Sequence, residues 1–345
     1  MKIGFIVAKD EEECFDDYLY DLTPKKYLKN DVLHTDVAIA ISIKESYPDV
    51  SVDIILPNEI SLQRLKKNDV NFVMGYDCIS QRLSDPYVRK FCGEKGYNDI
   101  RKIYSSPSAK IFPPLSFFEF IWAKDKYLSV FDRKKIPITS TILVDKFNIR
   151  KILNMIQKKK WDEFIIKPVE STISIGVGKF NLKKCLKDPL LLTDYFSKYQ
   201  KIFSKFLIQE NIKGFRQYGE IKTFWIQGKY SYSVNTVDRG EDNYTVKIVK
   251  NKKVLDECIK MGGQVMKALP KIKINDKNVD PVLVRLDFTC CMNNKKESPT
   301  NYFLNEIENQ DAGSYTNFEH IKYPYVQVMA DAFVKKAREL EELKF

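Results

Sequence analysis

Lys167 stands at the end of an apolar run, Phe164-Ile165-Ile166, and is followed by Pro168 and a loop of small residues that includes Gly176 and Gly178. An apolar strand that delivers a lysine to a loop with free backbone N–H groups can cradle a phosphate. The N–H dipoles converge on the anion, and the lysine adds a compact charge. A hairpin that needs its glycines only for positive φ reads the same way, so this segment alone leaves both readings open. Further on, Arg285 and Asp287 alternate with Val284, Leu286 and Phe288, and Tyr302-Phe303-Leu304 runs into Asn305-Glu306-Ile307-Glu308. Strand side chains alternate between faces, so Arg285 shares a face with Asp287, and Glu306 shares one with Glu308. Two adjacent antiparallel strands would bring the three acids together. Close carboxylates repel, and a hard divalent cation is what best neutralises them.

The elements that must position these residues are legible as hydrophobic periodicity. Lys2–Ala8, Val52–Leu56 and Val70–Gly75 read as strands, alternating with helical patterns over Asp36–Ser46 and Leu62–Lys67. That alternation predicts a parallel sheet with crossover helices. Residues 77–108 are polar and turn-rich, either a substrate-facing insertion or a surface excursion. A single amphipathic helix is expected from about Leu115 to Phe131, with Lys124 and Lys126 late in it. Further helices are expected at Ile149–Lys160, Leu182–Leu186, Leu190–Phe203, Val254–Leu269 and Tyr323–Leu343. Between them, an apolar strand ends in Gln209-Glu210, a loop carries Gly214 and Gly219, and Glu220-Ile221-Lys222 leads a long β-rich run.

Composition narrows the function classes. The 345 residues are 44% hydrophobic and 30% charged, enough for two or three packed units of an ordinary globular protein. No apolar run approaches the ~20 residues of a membrane helix. The seven cysteines are scattered, without a CxxC pair or a Cys/His cluster, so neither a disulfide framework nor a zinc site is expected. With an N-terminus that reads as a strand followed by acids, this points to a reducing, cytoplasmic setting. Only His34 and His320 are present, which argues against chemistry built on a histidine base. The net charge of +11 comes from lysines spread along the chain. A solvated surface and a basic patch for an acidic partner both fit it, and nucleic acid is not the expected partner.

Taken in order, Lys167 with its loop, Gln209-Glu210 with Gly219-Glu220-x-Lys222, and Arg285-x-Asp287 with Asn305-Glu306-x-Glu308 resemble the ATP-grasp superfamily over roughly Lys110 to Tyr315. The run Ser174-Ile175-Gly176-Val177 is similar to the phosphate loop of D-alanine–D-alanine ligases. The middle motif is similar to glutathione-synthetase and RimK-type ligases. Many members carry Asn where Glu308 stands. The resemblance implies an α/β fold in three parts: an N-terminal parallel α/β domain over 1–115, a lid subdomain over 116–204, and an antiparallel subdomain with a metal site over 205–345. It implies an ATP-dependent carboxylate–amine ligase working through an acyl phosphate on a small molecule or peptide, with possible homo-oligomerisation. Other ATP-grasp chemistry (a kinase or carboxylate–thiol ligase) and a non-catalytic nucleotide-binding or basic scaffold are the alternatives.

The same resemblance assigns roles. Lys126, preferred over Lys124, and Lys167 would hold the ATP phosphates, with Ser174, Ile175, Gly176 and Val177 closing over them. Gln209, Glu210, Asn211 and Ile212 would form the adenine edge, and Glu220 would accept from the ribose. Asp287, Glu306 and Glu308 would hold a pair of Mg²⁺ ions. Arg285 would stabilise the tetrahedral intermediate, and Lys222 would touch phosphate or substrate. The chain departs from the family at the acceptor end. No substrate residues are recognisable after Val7, and Asn309-Gln310-Asp311-Ala312-Gly313-Ser314 replaces the usual glycine-proline turn. D-alanine is therefore not the expected substrate, and Ser314 and Arg216 are candidate acceptor contacts.

Overall fold

The computed structural model describes residues 1–9, 12–74, 94–171, 175–238, 244–291, 300–309 and 312–345, with 94–97, 291, 300 and 301 described by backbone alone. Strands β1 (Lys2–Ile6), β2 (Ser51–Ile55), β3 (Val70–Val73) and β4 (Ile111–Phe112) form a parallel sheet in the order β2-β1-β3-β4. A parallel sheet is covered on both faces, which is why β1 and β3 are buried at nearly every position rather than at alternate ones. The helix Thr35–Ser46 covers one face and packs against the C-terminal helix Tyr325–Glu342. Phe333 of that last helix meets Phe5 and Phe72, with ring centroids 5.2 and 4.8 Å apart. The end of the chain thus completes the core of its beginning, and the expected third unit, 205–345, gives its last helix to the first.

Two expectations are revised here. The helix expected from Leu115 to Phe131 is two helices, Leu115–Trp122 and Lys124–Arg133, broken at Ala123, whose φ −83° and ψ 86° are not helical. The expected turn-rich segment 77–108 includes a helix, Glu94–Ser105, whose Ile100, Ile103 and Tyr104 pack into an apolar cluster beside the parallel sheet. Residues 75–93 lie outside the described residues.

The second sheet is antiparallel: β5 (Thr141–Val144), β6 (Glu163–Pro168), β7 (Gly178–Asn181) and β8 (Phe206–Glu210), in the order β5-β8-β6-β7. The helices Ile149–Lys159 and Leu190–Tyr199 close it over a core of its own, centred on Phe164, Phe196 and Phe206. The expected boundary at 204/205 cuts through this sheet, because β8 pairs with both β5 and β6. The expected start at 116 is also displaced: Phe117, Ile121, Tyr127 and Phe131 pack into the main core.

The third sheet is built from β9 (Glu220–Ile226), β10 (Lys229–Asp238), β11 (Tyr244–Ile248), β14 (Leu283–Cys291) and β15 (Thr300–Glu308), in the order β11-β10-β9-β14-β15. A small hairpin, β12 (Ile272–Ile274) with β13 (Lys277–Val279), precedes β14. Strand β14, between β9 and β15, is antiparallel to both neighbours, so Asp287 stands opposite Lys222 on one side and Glu306 on the other. The β14–β15 register shifts between Asp287 and Phe288, leaving Asn305 as an extra residue on β15. Such a bulge re-aims the side chains beside it.

Asp36, at the start of its helix, is buried and accepts N–H bonds from Ala8 at 2.9 Å, Lys9 at 3.0 Å and Val37 at 2.8 Å. Burial disfavours its ionised form and outweighs those donors, so its pKa stands above the ordinary carboxyl value. A carboxyl with a raised pKa contributes stability below its unfolded-state pKa of about 4, and the contribution is lost as the pH rises through the folded-state value. The stability advantage of the wild type over Asp36→Asn is therefore expected to shrink from about pH 4 upward. Urea unfolding of both proteins across pH checks this, and parallel curves would contradict it.

Candidate active site

The second and third sheets face one another across a cleft of about 630 Å³. Glu306 and Glu308 line it and Asp287 is buried beside them, and the three offer carboxylate oxygens that all lie within 4.8 Å of one another. Asp287 is 1% exposed and is held by Lys222 at 2.5 Å and by Arg285 at 2.9 and 3.0 Å. Burial opposes its ionisation, but the two cations outweigh burial and hold its pKa below the usual carboxylate range. Arg285 also reaches Glu308 at 2.7 Å, and Lys124 reaches Glu306 at 3.2 Å. Burial likewise opposes ionisation of Glu306, and Lys124 with Lys167 overcomes it. For Glu308 burial wins: despite Arg285, and with Asp287 and Glu306 adding repulsion, its pKa is pushed up to about 7. The donor set is all oxygen, without sulfur or imidazole. It fits a hard divalent cation such as Mg²⁺, whose charge would relieve the mutual repulsion.

The nucleotide-side expectations divide. Lys167 lines the cleft, half-buried at the end of β6, with no ion pair among the described residues. Burial lowers its pKa, and Glu306 partly counters this. Gln209, Glu210, Asn211 and Ile212 line the cleft where β8 leaves the second sheet. Gln209 is fixed there by donating to the Thr141 hydroxyl at 2.8 Å. Glu220 opens β9 and accepts from the bulge residue Asn305 at 2.8 Å. Of the loop residues, Val177 lines the cleft, whereas Ile175 packs against the core of the second sheet. Gly176 takes φ +74°, and a Cβ there would lie 2.8 Å from Pro168. Its carbonyl accepts from the Tyr195 hydroxyl. Ser174 lies outside the described residues.

Lys126 requires a correction. It is exposed and outside the cleft, and Lys124 lines the cleft instead, donating to the Ser171 carbonyl at 3.1 Å. The break at Ala123 restarts the helix at Lys124, so the phase assumed for one continuous helix does not hold. Arg285 is also placed differently from expectation. It is buried behind the cleft wall, with its guanidinium committed to Asp287, Glu308 and the Gly313 carbonyl at 3.2 Å. It orients the acids rather than facing the cleft. Lys222 does line the cleft.

In the loop after β15, the decisive residue is one that sequence reading missed. The Glu12 carboxylate accepts from the Ser314 backbone N–H at 3.0 Å, its hydroxyl at 2.5 Å, and the Tyr315 N–H at 2.7 Å. Tyr315 is held at φ +62°, a conformation costly for a bulky residue. Its ring lies 5.8 Å from the Lys222 ammonium and 5.6 Å from the Arg285 guanidinium. Ser314 is thus a buried support for the loop, and Arg216 lines the cleft. Nothing local marks Glu12, because its partners lie some 300 positions away.

No family model matches the chain, and no curated protein matches its sequence. Its structure is another matter. It superposes on D-cycloserine synthetase DcsG with a TM-score of 0.65 at 11% identity, covering 98% of this chain and 100% of that one. It superposes on a D-alanine–D-alanine ligase from Bacillus anthracis complexed with ATP with a TM-score of 0.58 at 14% identity, covering 99% and 98%. It also superposes on the ATP-grasp ligase PsnB, solved with a precursor variant, Mg and ADP, with a TM-score of 0.59 at 11% identity, covering 97% and 98%. The chain has the ATP-grasp fold. In this ATP-grasp structure the carboxylate cluster sits on the third sheet and Lys167 on the second, with the cleft between them. Among the described residues, no helix is long and apolar enough to cross a membrane.

The buried ion network makes a direct prediction. Asp287→Ala would leave Lys222 and Arg285, 5% and 4% exposed, as buried cations deprived of their shared carboxylate. Urea unfolding is expected to show a loss of about 3–5 kcal/mol. A loss under ~1 kcal/mol would mean that the network does not hold the two strands together.

Proposed function

We propose that this protein is an ATP-dependent carboxylate–amine ligase that releases ADP and phosphate. The observation that carries this reading is the opposition, across one cleft, of an all-carboxylate cluster and a lysine, Lys167, that has no ion pair among the described residues. That pairing suits a metal-bound polyphosphate. Solved structures of this fold with ATP, and with Mg and ADP, support it. In the reading, Lys124 and Lys167 hold the phosphates, with the backbone around Ile175 to Val177 beside them. Gln209 to Ile212 form the adenine edge, and Glu220 accepts from the ribose. Asp287, Glu306 and Glu308 hold Mg²⁺, which when bound neutralises phosphate charge.

The reaction then needs few groups from the chain. A substrate carboxylate oxygen attacks the γ-phosphorus and the bond to the ADP oxygen breaks, giving an acyl phosphate. An amine nitrogen attacks the acyl carbon, and phosphate leaves with the electron pair of the broken C–O bond. The new N–C bond forms as the nitrogen gives up a proton. The protein's part is charge and position. Lys222 and Arg285 keep Asp287 ionised, Arg285 aims Glu308, and Glu12 holds the loop that bounds the acceptor end.

Two measurements test the reading. Lys124→Ala is expected to weaken Mg-ATP binding about tenfold, the loss of one charge-assisted contact, while Lys126→Ala leaves it unchanged. Calorimetric titration of both variants decides between the two lysines. Glu306→Gln removes a charge at nearly constant volume from a site where acids repel. Its melting temperature is expected to hold, while phosphate release in a screen of amino acids and peptides falls about a hundredfold or more. A destabilised but fully active variant would remove Glu306 from the metal site. ATP consumption that leaves phosphate on the product would identify a kinase instead.

A further inference from the structure

The tetrahedral intermediate of the proposed reaction needs a donor for its oxyanion, and the family resemblance assigned that part to Arg285. The structure commits the Arg285 guanidinium elsewhere, to Asp287, Glu308 and the Gly313 carbonyl. Lys222 lines the cleft, but its ammonium is divided between Asp287 at 2.5 Å and Glu220 at 3.4 Å. Tyr315 lies beside both cations. Its ring is 5.6 Å from the Arg285 guanidinium and 5.8 Å from the Lys222 ammonium, and it lines the cleft together with Glu308. Arg216 also lines the cleft, but it stands on the short helix Gly214–Gln217. Gly214 of that helix packs against the Cys290 carbonyl, about 10 Å along β14 from Asp287.

Two further observations set Tyr315 apart. It is half-buried, yet its hydroxyl has no hydrogen-bond partner among the described residues. A phenol in that position ordinarily finds one. Tyr232 donates to the Ser314 carbonyl at 2.9 Å, and Tyr323 pairs with the Ser231 hydroxyl. The backbone of Tyr315 is also held at a cost. A bulky aromatic adopts φ +62° only when its surroundings impose it. Glu12 imposes it, accepting from the Tyr315 N–H at 2.8 and 2.7 Å and from the Ser314 N–H at 3.0 Å. Glycine or asparagine would take that conformation with less strain, so the turn by itself does not call for an aromatic ring.

We propose that Tyr315 is a catalytic residue whose phenol O–H donates to the oxyanion of the tetrahedral intermediate, with Glu12 as the positioning residue that aims it. The inference rests on the ligase reading. In the step, the amine nitrogen attacks the acyl carbon and the π pair of the C=O bond moves onto oxygen. The hydrogen bond from Tyr315 holds that charge, and the proton stays on the phenol. The pair then re-forms the C=O bond as the bond to phosphate breaks. Phosphate leaves with its electrons, and the nitrogen gives up a proton to water. A donor aimed where charge develops acts on the transition state more than on the bound substrate.

The test compares the full chain with Tyr315→Phe, which keeps the ring beside the two cations and loses only the hydroxyl. Amino acids and short peptides supply the carboxylate and the amine. Phosphate release reports the whole reaction, and concentrated hydroxylamine traps the acyl phosphate as a hydroxamate in a single turnover, which reports its first half. The kcat for phosphate release is expected to fall about a hundredfold in the variant, with KM unchanged. Its hydroxamate yield, Mg-ATP melting shift and urea midpoint are expected to match the wild type, which a merely structural role for the hydroxyl would not produce. An unchanged kcat would overturn the inference. So would a raised KM with full kcat, which would make Tyr315 a binding contact, or a hydroxamate yield that falls with kcat, which would place it in the phosphorylation step. A wild type that forms neither phosphate nor hydroxamate with any of these substrates would sink the ligase reading itself and the inference with it. The Mg-ATP melting shift would then show whether nucleotide binding survives.

Discussion

The site depends on keeping Asp287 ionised inside the protein. A buried carboxylate is costly, and a second and third carboxylate within 4.8 Å add repulsion. The cost is met by two buried cations, Lys222 on the neighbouring strand and Arg285 two residues back on the same strand. Because each cation serves one acid and touches another, the strand order β9-β14-β15 has to hold for the network to close. A shift of one residue would send the whole set to the opposite face of the sheet. The electrostatics and the sheet register are therefore a single constraint.

The remaining elements serve that arrangement from a distance. The second sheet has its own aromatic core, so it brings Lys167 and Gln209 to the cleft as parts of one packed unit. The helix Lys124–Arg133 belongs to the main core but places Lys124 against both units, on Glu306 and on the Ser171 carbonyl. The parallel sheet supplies Glu12 from the segment after β1, and Glu12 fixes the loop that carries Tyr315. All three parts of the chain thus contribute at or beside the carboxylate cluster.

Glu308, with its pKa pushed up to about 7, separates this site from a static salt-bridge network. Asp287 and Glu306 have cations enough to ionise, whereas Glu308 shares Arg285 with Asp287 and is left under-compensated. A cation binding there would find two acids already charged and a third close to charging. This is the physical sense in which the residues present suit a divalent ion, and it does not depend on any relative of the chain.

Much of this was legible in sequence because it is periodic or local. The period-two alternation of Arg285, Asp287, Glu306 and Glu308 put the acids on shared faces, and β14 and β15 do pair with Asp287 opposite Glu306. The apolar run into Lys167, the Gln209–Ile212 exit from β8 and the alternating strands and helices of the first unit were equally plain. What the sequence could not decide turned on tertiary contact. The helix break at Ala123 brings Lys124 rather than Lys126 to the cleft because packing, rather than propensity, sets the phase of the second helix. Placing β8 in the second sheet, and the last helix on the first, depends on which apolar faces meet, and many faces are equally apolar. Arg285 turns inward because Asp287 and Glu308 surround it. The Glu12–Tyr315 tie joins residues about 300 positions apart, and no local pattern encodes such a contact. Sequence alone determined which residues share a face of a strand; the fold decided which faces meet, because that depends on chain closure and packing rather than on spacing.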